Sequence, residues 1–213
     1  MLIKENIYRL DCTKDSYVYA VKDNDGVTLI DTSFPGKGTA IIRELETLGI
    51  EPGDIIRILI THSDGDHIGN SVFIVEKTGC NVFISAEDLE VARRRQKPTG
   101  FKRFLSIFMG SKIPESAKIL PDAAISGFRI IKTPGHTLGH VCFRYGNVLF
   151  AGDLVRVENN VIVHSPKLFI HDMVMANESC KTLDMSGIDW ICPAHGELVR
   201  AEAWLDFLKR QNL

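Results

Sequence analysis

The sequence lacks the features that would assign it to a membrane, to a disulfide scaffold or to a nucleic-acid-binding class. No apolar run approaches the roughly 20 residues that a membrane-spanning helix needs. The five cysteines are scattered without a CxxC pair, which is typical of free thiols in a reducing compartment. With 25 basic and 27 acidic residues, the chain has a formal net charge of −2. It therefore has no general attraction for nucleic acid or anionic membranes.

The first residues and the bulk composition point to an ordinary globular protein. The N-terminal segment MLIKENIYRL is interrupted by charges and does not resemble a signal peptide, so we expect a cytoplasmic location. The 213 residues suit a single domain with a substantial core, and no Pro/Gly/Ser-rich linker divides them. We predict one domain over residues 1–213.

Strand-rich stretches are followed by helical patterns in both halves of the chain. The strand-like runs are 5–12, 16–23, 27–32, 55–61, 81–86, 127–133, 140–153 and 190–194. Helical spacing of apolar residues occurs at 37–49, 68–78, 172–185 and 201–211. This order favours an α+β fold of four layers, an αββα sandwich in which two mixed β-sheets face each other with helices outside.

Residues 88–118 do not fit this repeat, and we predict that they form a lid insertion. The segment starts as a helical pattern, is broken at 98–100, and carries six basic residues and no acid over 93–103. Two interpretations remain open. The basic residues either form a solvated helix face, or they lie over the active site and meet an anionic substrate.

The stretch THSDGDHIGN at 61–70 contains the strongest chemical signal. It places two histidines and two aspartates directly after an apolar β-branched run. Three elements further along also put His or Asp beside small residues after strand-like runs: TPGHTLGH at 133–140, FAGDL at 150–154 and PAHGE at 193–197. Imidazole nitrogens and carboxylate oxygens are the usual ligands of zinc, iron and manganese, so the pattern predicts a metal site.

The order of these elements resembles the metallo-β-lactamase-fold superfamily, in the style of its glyoxalase II-like and lactonase-like members. The resemblance spans most of the chain and implies two divalent metal ions, with zinc expected and iron or manganese as alternatives. By resemblance, one metal is held by His62, Asp64 and His136, and the other by Asp66, His67 and His195. Asp153 would bridge both metals, and Asp66 would also orient the attacking hydroxide.

The sequence departs from the family motif HxHxDH at its middle position, where Asp64 replaces a histidine. An anionic oxygen ligand makes the first site harder and more negative, which favours iron or manganese relative to zinc. Two outcomes are open: Asp64 binds the metal, or its shorter side chain fails to reach. In the second case His62, His136 and Asp153 form a two-His, one-carboxylate set that suits non-haem iron.

Several further residues have both a functional and a structural interpretation. His140 is a candidate catalytic residue, as a donor to substrate or as support for a metal ligand, and the alternative is a surface histidine. By resemblance, Asp31 orients a ligand histidine, and otherwise it caps a turn. His164 and His171 are expected on the surface or in packing, and Cys192 in the core.

The leading functional prediction is a hydrolase that uses a metal-bound hydroxide on an ester, thioester, lactone or similar small substrate. The alternatives are a mononuclear non-haem iron oxidoreductase similar to persulfide dioxygenases, and a nuclease or RNA-binding protein acting through the basic run. We expect a small-molecule substrate that could be anionic, no membrane partner and no nucleic acid. The sequence leaves the substrate and homo-oligomer formation open.

Overall fold

The computed structural model describes residues 1–93 and 111–213. In this part of the chain, seven strands form the first sheet in sequential order. Its strands are β1 (Leu2–Lys4), β2 (Ile7–Arg9), β3 (Tyr19–Lys22), β4 (Val27–Ile30), β5 (Ile55–Leu59), β6 (Asn81–Ile84) and β7 (Lys118–Ile119). Pairing is antiparallel from β1 to β4 and parallel from β4 to β7, so the sheet is mixed.

The second sheet has six strands in the described part of the chain, in the order β15-β14-β11-β10-β9-β8. They are β8 (Ala124–Ile125), β9 (Phe128–Lys132), β10 (Val141–Tyr145), β11 (Val148–Gly152), β14 (Trp190–Pro193) and β15 (Val199–Arg200). Only the β11–β14 pair is parallel. Between β11 and β14 in the chain, β12 (Arg156–Glu158) and β13 (Val161–Val163) form a separate antiparallel hairpin.

Helices lie on the outer faces of both sheets. They are α1 (Gly38–Thr47), α2 (Gly65–Ile68), α3 (Ser71–Thr78), α4 (Ala86–Ala92), α5 (Met173–Thr182) and α6 (Ala203–Gln211). Single 3-10 turns occur at Asp11–Thr13, Pro52–Asp54 and Lys167–Phe169. No helix in the described residues is long and apolar enough to cross a membrane.

Strand alternation divides the apolar residues into separate layers. In β5, Ile58 packs with the helices of the first half, and its neighbour Leu59 packs between the sheets. This follows from the period of two along a strand, which sends successive side chains to opposite faces. The inter-sheet layer includes Phe143 and Phe150, whereas Phe207 of α6 packs on the outer face of the second sheet. The layers confirm the predicted αββα sandwich.

Some details differ from the expectations, and part of one expected segment lies outside the described residues. The helix predicted over 68–78 is divided into α2 and α3 at Asn70, and the β12–β13 hairpin was not predicted. The first turns of the segment 88–118 form the end of α4, but residues 94–110 lie outside the described residues. The lid and the basic run therefore remain predictions.

Candidate metal centre

The predicted site residues all follow strand ends at one edge of the sandwich. His62 comes after β5, Asp153 after β11 and His195 after β14, and His136 lies in the loop from β9 to β10. Because β10 runs antiparallel to β9 and β11, the ends of β9 and β11 lie at the same edge of their sheet. The topology thus brings loops from both sheets together there.

The first group of side chains consists of His62, Asp64 and His136. Asp64 Oδ2 lies 3.0 Å from His136 Nε2 and 3.5 Å from His62 Nε2. One ligand atom from each residue lies within 4.8 Å of the others. The Asp64 carboxylate therefore reaches both imidazoles despite its short side chain.

The second group consists of Asp66, His67 and His195. Asp66 Oδ2 lies 3.2 Å from His195 Nε2 and 3.6 Å from His67 Nε2. As in the first group, one possible ligand atom from each residue lies within 4.8 Å of the other two. This group also joins the sheets, because His195 comes from the second sheet and the other two residues from the loop after β5.

Asp153 lies between the two groups, with one oxygen directed to each. Its Oδ1 is 3.5 Å from His67 Nε2 and 3.4 Å from His195 Nε2. Its Oδ2 is 3.4 Å from His136 Nε2. The structure thus brings all seven predicted ligand residues into one cluster, with a single carboxylate facing both groups.

The spacing and the polar atoms of this cluster fit metal ions. Ligands about 2.0–2.1 Å from a tetrahedral metal lie roughly 3.3 Å apart, and the His–Asp contacts here span 3.0 to 3.6 Å. His62 Nε2, His67 Nε2 and Asp153 Oδ1 are buried and have no hydrogen-bond partner among the described residues. Buried polar atoms are rarely left unpaired, so such atoms converging on one point fit the ligand set of a metal cation.

Comparison with known proteins agrees with this geometry. The sequence profile described as the Metallo-beta-lactamase superfamily matches residues 13–195. The chain belongs to the metallo-beta-lactamase superfamily. It is 31% identical over 208 residues to a probable metallo-hydrolase of Methanocaldococcus jannaschii, a match covering 93% of this chain and 94% of the relative. It is also 25% identical over 156 residues to a hydroxyacylglutathione hydrolase of Psychromonas ingrahamii, covering 70% of this chain but only 50% of that enzyme.

Solved structures of superfamily proteins share the fold. A metallo-beta-lactamase family protein from Thermus thermophilus aligns with a TM-score of 0.76 at 21% identity, covering 99% of this chain and 80% of the other. A protein crystallised in a di-iron-bound form aligns with a TM-score of 0.70 at 23% identity, covering 89% of this chain and 92% of the other. These similarities show the superfamily fold.

Burial and neighbouring charges have opposing effects on the pKa values of the cluster histidines. Burial, together with the nearby charge of His67, lowers the pKa of His62 well below its usual value. Burial also opposes the charged form of His67, but the carboxylates of Asp66, Asp31 and Asp153 outweigh it and raise the pKa of His67 well above 6.5. At His195, burial again opposes the charged form, but the carboxylates of Asp153 and Asp66 outweigh it and raise the pKa to about 10. Without a metal, protons on these imidazoles supply the positive charge that the carboxylates require.

Asp153 has the complementary shift. Burial would raise the pKa of its carboxyl, but the imidazoles of His195, His67 and His136 outweigh burial and hold that pKa well below 3.8. Asp153, which is only 7% exposed, is therefore an anion at neutral pH. A buried anion requires a cationic partner, which is the electrostatic condition for binding a metal.

Three of the predicted ligand histidines are oriented through their Nδ1 atoms. His67 Nδ1 donates to Asp31 Oδ2 at 2.8 Å, and His195 Nδ1 donates to the Asp15 carbonyl at 2.8 Å. Thr61 Oγ1 donates to Asp31, which leaves it to accept from His62 Nδ1 at 3.0 Å. Each contact turns Nε2 towards the cluster, as oxygen partners of metal-binding histidines commonly do. The predicted role of Asp31 in orienting a histidine is confirmed.

His140 lies behind Asp153 and is buried, so the surface alternative is wrong. Its Nε2 accepts a hydrogen bond from the backbone N–H of Asp153 at 3.1 Å. The ring therefore carries its proton on Nδ1, which donates to Thr133 Oγ1 at 2.8 Å. This geometry favours support of a ligand over donation to substrate.

The remaining candidates lie outside the cluster. Cys192 is fully buried in the inter-sheet layer, which confirms packing over ligation. His164 packs against Phe207 with ring centroids 5.1 Å apart, and His171 is exposed. Asp88 was not singled out from the sequence, although it is buried and contacts two of the ligand loops. No local motif marks it, because its partners are distant in the chain.

Proposed function

We propose that this chain is a dinuclear metal-dependent hydrolase of small esters, thioesters or lactones. The first metal would be held by His62, Asp64 and His136, and the second by Asp66, His67 and His195, with Asp153 shared. The observation that carries the proposal is the position of Asp153. Its two oxygens approach imidazoles of different groups at 3.4 Å, as a bridging carboxylate requires.

The contacts of Asp64 support the proposal that the first metal position has a complete set of ligands. Its Oδ2 approaches two imidazole nitrogens to 3.0 and 3.5 Å, so the carboxylate fills the place that a histidine has in the family motif. With Asp153, this position contains two carboxylates and two histidines. Harder oxygen ligands shift the preference towards iron or manganese without excluding zinc. The di-iron form of a structural neighbour is consistent with that shift.

The residues in and around the cluster would have different roles in hydrolysis. When bound, divalent ions lower the pKa of coordinated water to about 7, supplying a nucleophile, and they polarise the carbonyl that is attacked. Asp66, whose side chain is 16% exposed and whose Oδ2 lies 3.2 Å from His195 Nε2, would accept a hydrogen bond from that nucleophile and orient it. Asp31, Thr61 and His140 contact ligand residues rather than substrate, and they hold the ligands in place.

The relatives indicate the substrate class only broadly. This chain spans about half the length of the hydroxyacylglutathione hydrolases that it matches, so we do not extend their substrate to it. The relative that the match covers to 94% is a probable metallo-hydrolase. An acyl compound with an ester, thioester or lactone bond is the class that the cluster and these names support.

Metal content and activity measured on one preparation test the proposal. We expect two divalent ions per chain by mass spectrometry, hydrolysis of a panel of esters, thioesters and lactones, and loss of both on chelation. Asp153→Asn should abolish hydrolysis, whereas the matched control His164→Leu, outside the cluster, should retain it. A single iron with oxygen uptake on glutathione persulfide would instead indicate a dioxygenase. Hydrolysis that resists chelation would contradict the proposal.

A further inference from the structure

A buried carboxylate outside the ligand set connects the two loops that supply the first group. Asp88 of α4 is 1% exposed. Its Oδ1 accepts a hydrogen bond of 2.7 Å from Ser63 Oγ, and its Oδ2 accepts one of 2.7 Å from Thr137 Oγ1. Ser63 lies between His62 and Asp64, and Thr137 directly follows His136. The Asp88 side chain is therefore hydrogen-bonded to sequence neighbours of all three members of the first group.

The helix that carries Asp88 is fixed against the same loop. Ser85 caps α4 by accepting from the Asp88 backbone N–H at 3.3 Å. A Cβ atom built at Gly139 would lie 2.2 Å from Ser85 Oγ and 2.9 Å from the Asp88 nitrogen, so only glycine permits this approach. Leu89, the next residue, is buried in the first core and anchors the helix to the first sheet. Asp88 thus projects from a rigid support.

We propose that Asp88 is a positioning residue that sets the separation of Asp64 and His136 and so determines metal affinity at the first position. The inference rests on the proposed function. His62 and Asp64 belong to the loop after β5, whereas His136 belongs to the loop after β9, so the geometry of this group depends on how the loops are held together.

The second group provides an internal contrast. Asp66 and His67 lie within α2, and His195 is held by the Asp15 carbonyl at 2.8 Å. The hydrogen bonds of Asp88 to Ser63 and Thr137 do not involve this group. Loss of the Asp88 carboxylate should therefore weaken the first position and leave the second in place.

Metal-binding measurements on Asp88→Ala test the inference, with Glu87→Ala as the matched control, because it removes an exposed carboxylate from the same helix. Loss of a group that orients ligands typically lowers metal affinity by about 10–100-fold. At a buffered metal concentration where the unmodified chain holds two ions, we expect one ion in Asp88→Ala and two in Glu87→Ala. Combining Asp88→Ala with His195→Ala, which weakens the second position, should leave none.

Asp88→Asn separates hydrogen bonding from charge. Its amide has the same shape, accepts from one hydroxyl and donates to the other, so it should stay within a few-fold of the unmodified affinity. Equal losses at both positions, or equal behaviour of Asp88→Ala and Glu87→Ala, would overturn the inference.

A metal-free measurement keeps the inference separate from the proposed function. In the metal-free protein, the imidazole NMR signals of His62 and His136 should shift in Asp88→Ala and stay in place in Glu87→Ala. If the unmodified chain binds no metal, the proposed function fails, and these signals still decide whether Asp88 positions the loops. Unchanged signals in Asp88→Ala would refute that role.

Discussion

Replacing His140 by leucine should weaken the fold and the metal centre through one backbone hydrogen bond. Leucine has a similar size but no acceptor, so the Asp153 N–H that now bonds to His140 Nε2 at 3.1 Å would be left buried and unpaired. An unpaired buried N–H costs about 1–3 kcal/mol. Thr133 loses a partner as well, but it retains the contact of its hydroxyl with Cys142 Sγ at 3.4 Å. We expect the free energy of unfolding of the metal-free protein to fall by about 1–3 kcal/mol.

The same change should reduce metal affinity by about 10–100-fold, because Asp153 faces both groups and its backbone would no longer be held. Urea denaturation of the metal-free protein and competition with a chelator measure the two effects. His164→Leu is the matched control, since it makes the same substitution at a half-buried histidine that packs on Phe207 outside the cluster. The reasoning is refuted if the two variants lose metal affinity equally, or if His140→Leu binds metal as the unmodified chain does.

Four further predictions concern the cluster and the residues next to it. Asp64→His should bind zinc more tightly at the first position, since it restores a nitrogen ligand; unchanged affinity in a chelator competition would argue that Asp64 is not a ligand. Metal binding at pH 7–8 should release about two protons, because the pKa of His67 is well above 6.5 and that of His195 is about 10 in the metal-free protein. The apparent metal affinity should therefore rise with pH. Calorimetric titration in buffers of different ionisation enthalpy counts the released protons. Because both pKa values are raised, protonated His67 and His195 also stabilise the metal-free protein. This stabilisation is complete below about pH 6.5 and is lost as the pH rises towards 10. Urea denaturation at several pH values measures it. Gly152→Ala should cost at least about 1–3 kcal/mol of stability, because Gly152 has a φ of +50° and its new Cβ would lie 2.8 Å from His140 Nε2; a denaturation midpoint equal to that of the unmodified chain would contradict this.

Local patterns predicted the elements that carry the site well. The Asp25-Gly26 pair marks the β3–β4 hairpin, and Gly146-Asn147 lies between β10 and β11. Such turns depend on neighbouring residues, so the sequence contains the signal. The role of Asp31 was predicted from the family resemblance rather than from a local pattern, and its carboxylate contacts His67 Nδ1 at 2.8 Å.

Tertiary contacts explain where local patterns failed. The helical periodicity over 68–78 is interrupted because Asn70 is used elsewhere: its side chain accepts from the Gly38 N–H and donates to the carbonyls of Thr32 and Phe34. Gly69 also lies so close to the Ser33 carbonyl that a Cβ there would be 2.4 Å from the oxygen. These contacts span more than 30 residues, so no local window contains them.

The metal centre itself depends on the docking of the two sheets. Each group combines residues from the loop after β5 with a histidine from the second sheet, and Asp153 of the second sheet faces both. A motif can therefore specify which ligands are present, but the distances between them are set by the inter-sheet packing around Phe143 and Phe150. Because the metal binds only the docked arrangement, its binding free energy adds to the stability of that packing. The same coupling explains why Asp88 belongs to no local motif, since it acts on the distance between ligands that are already specified.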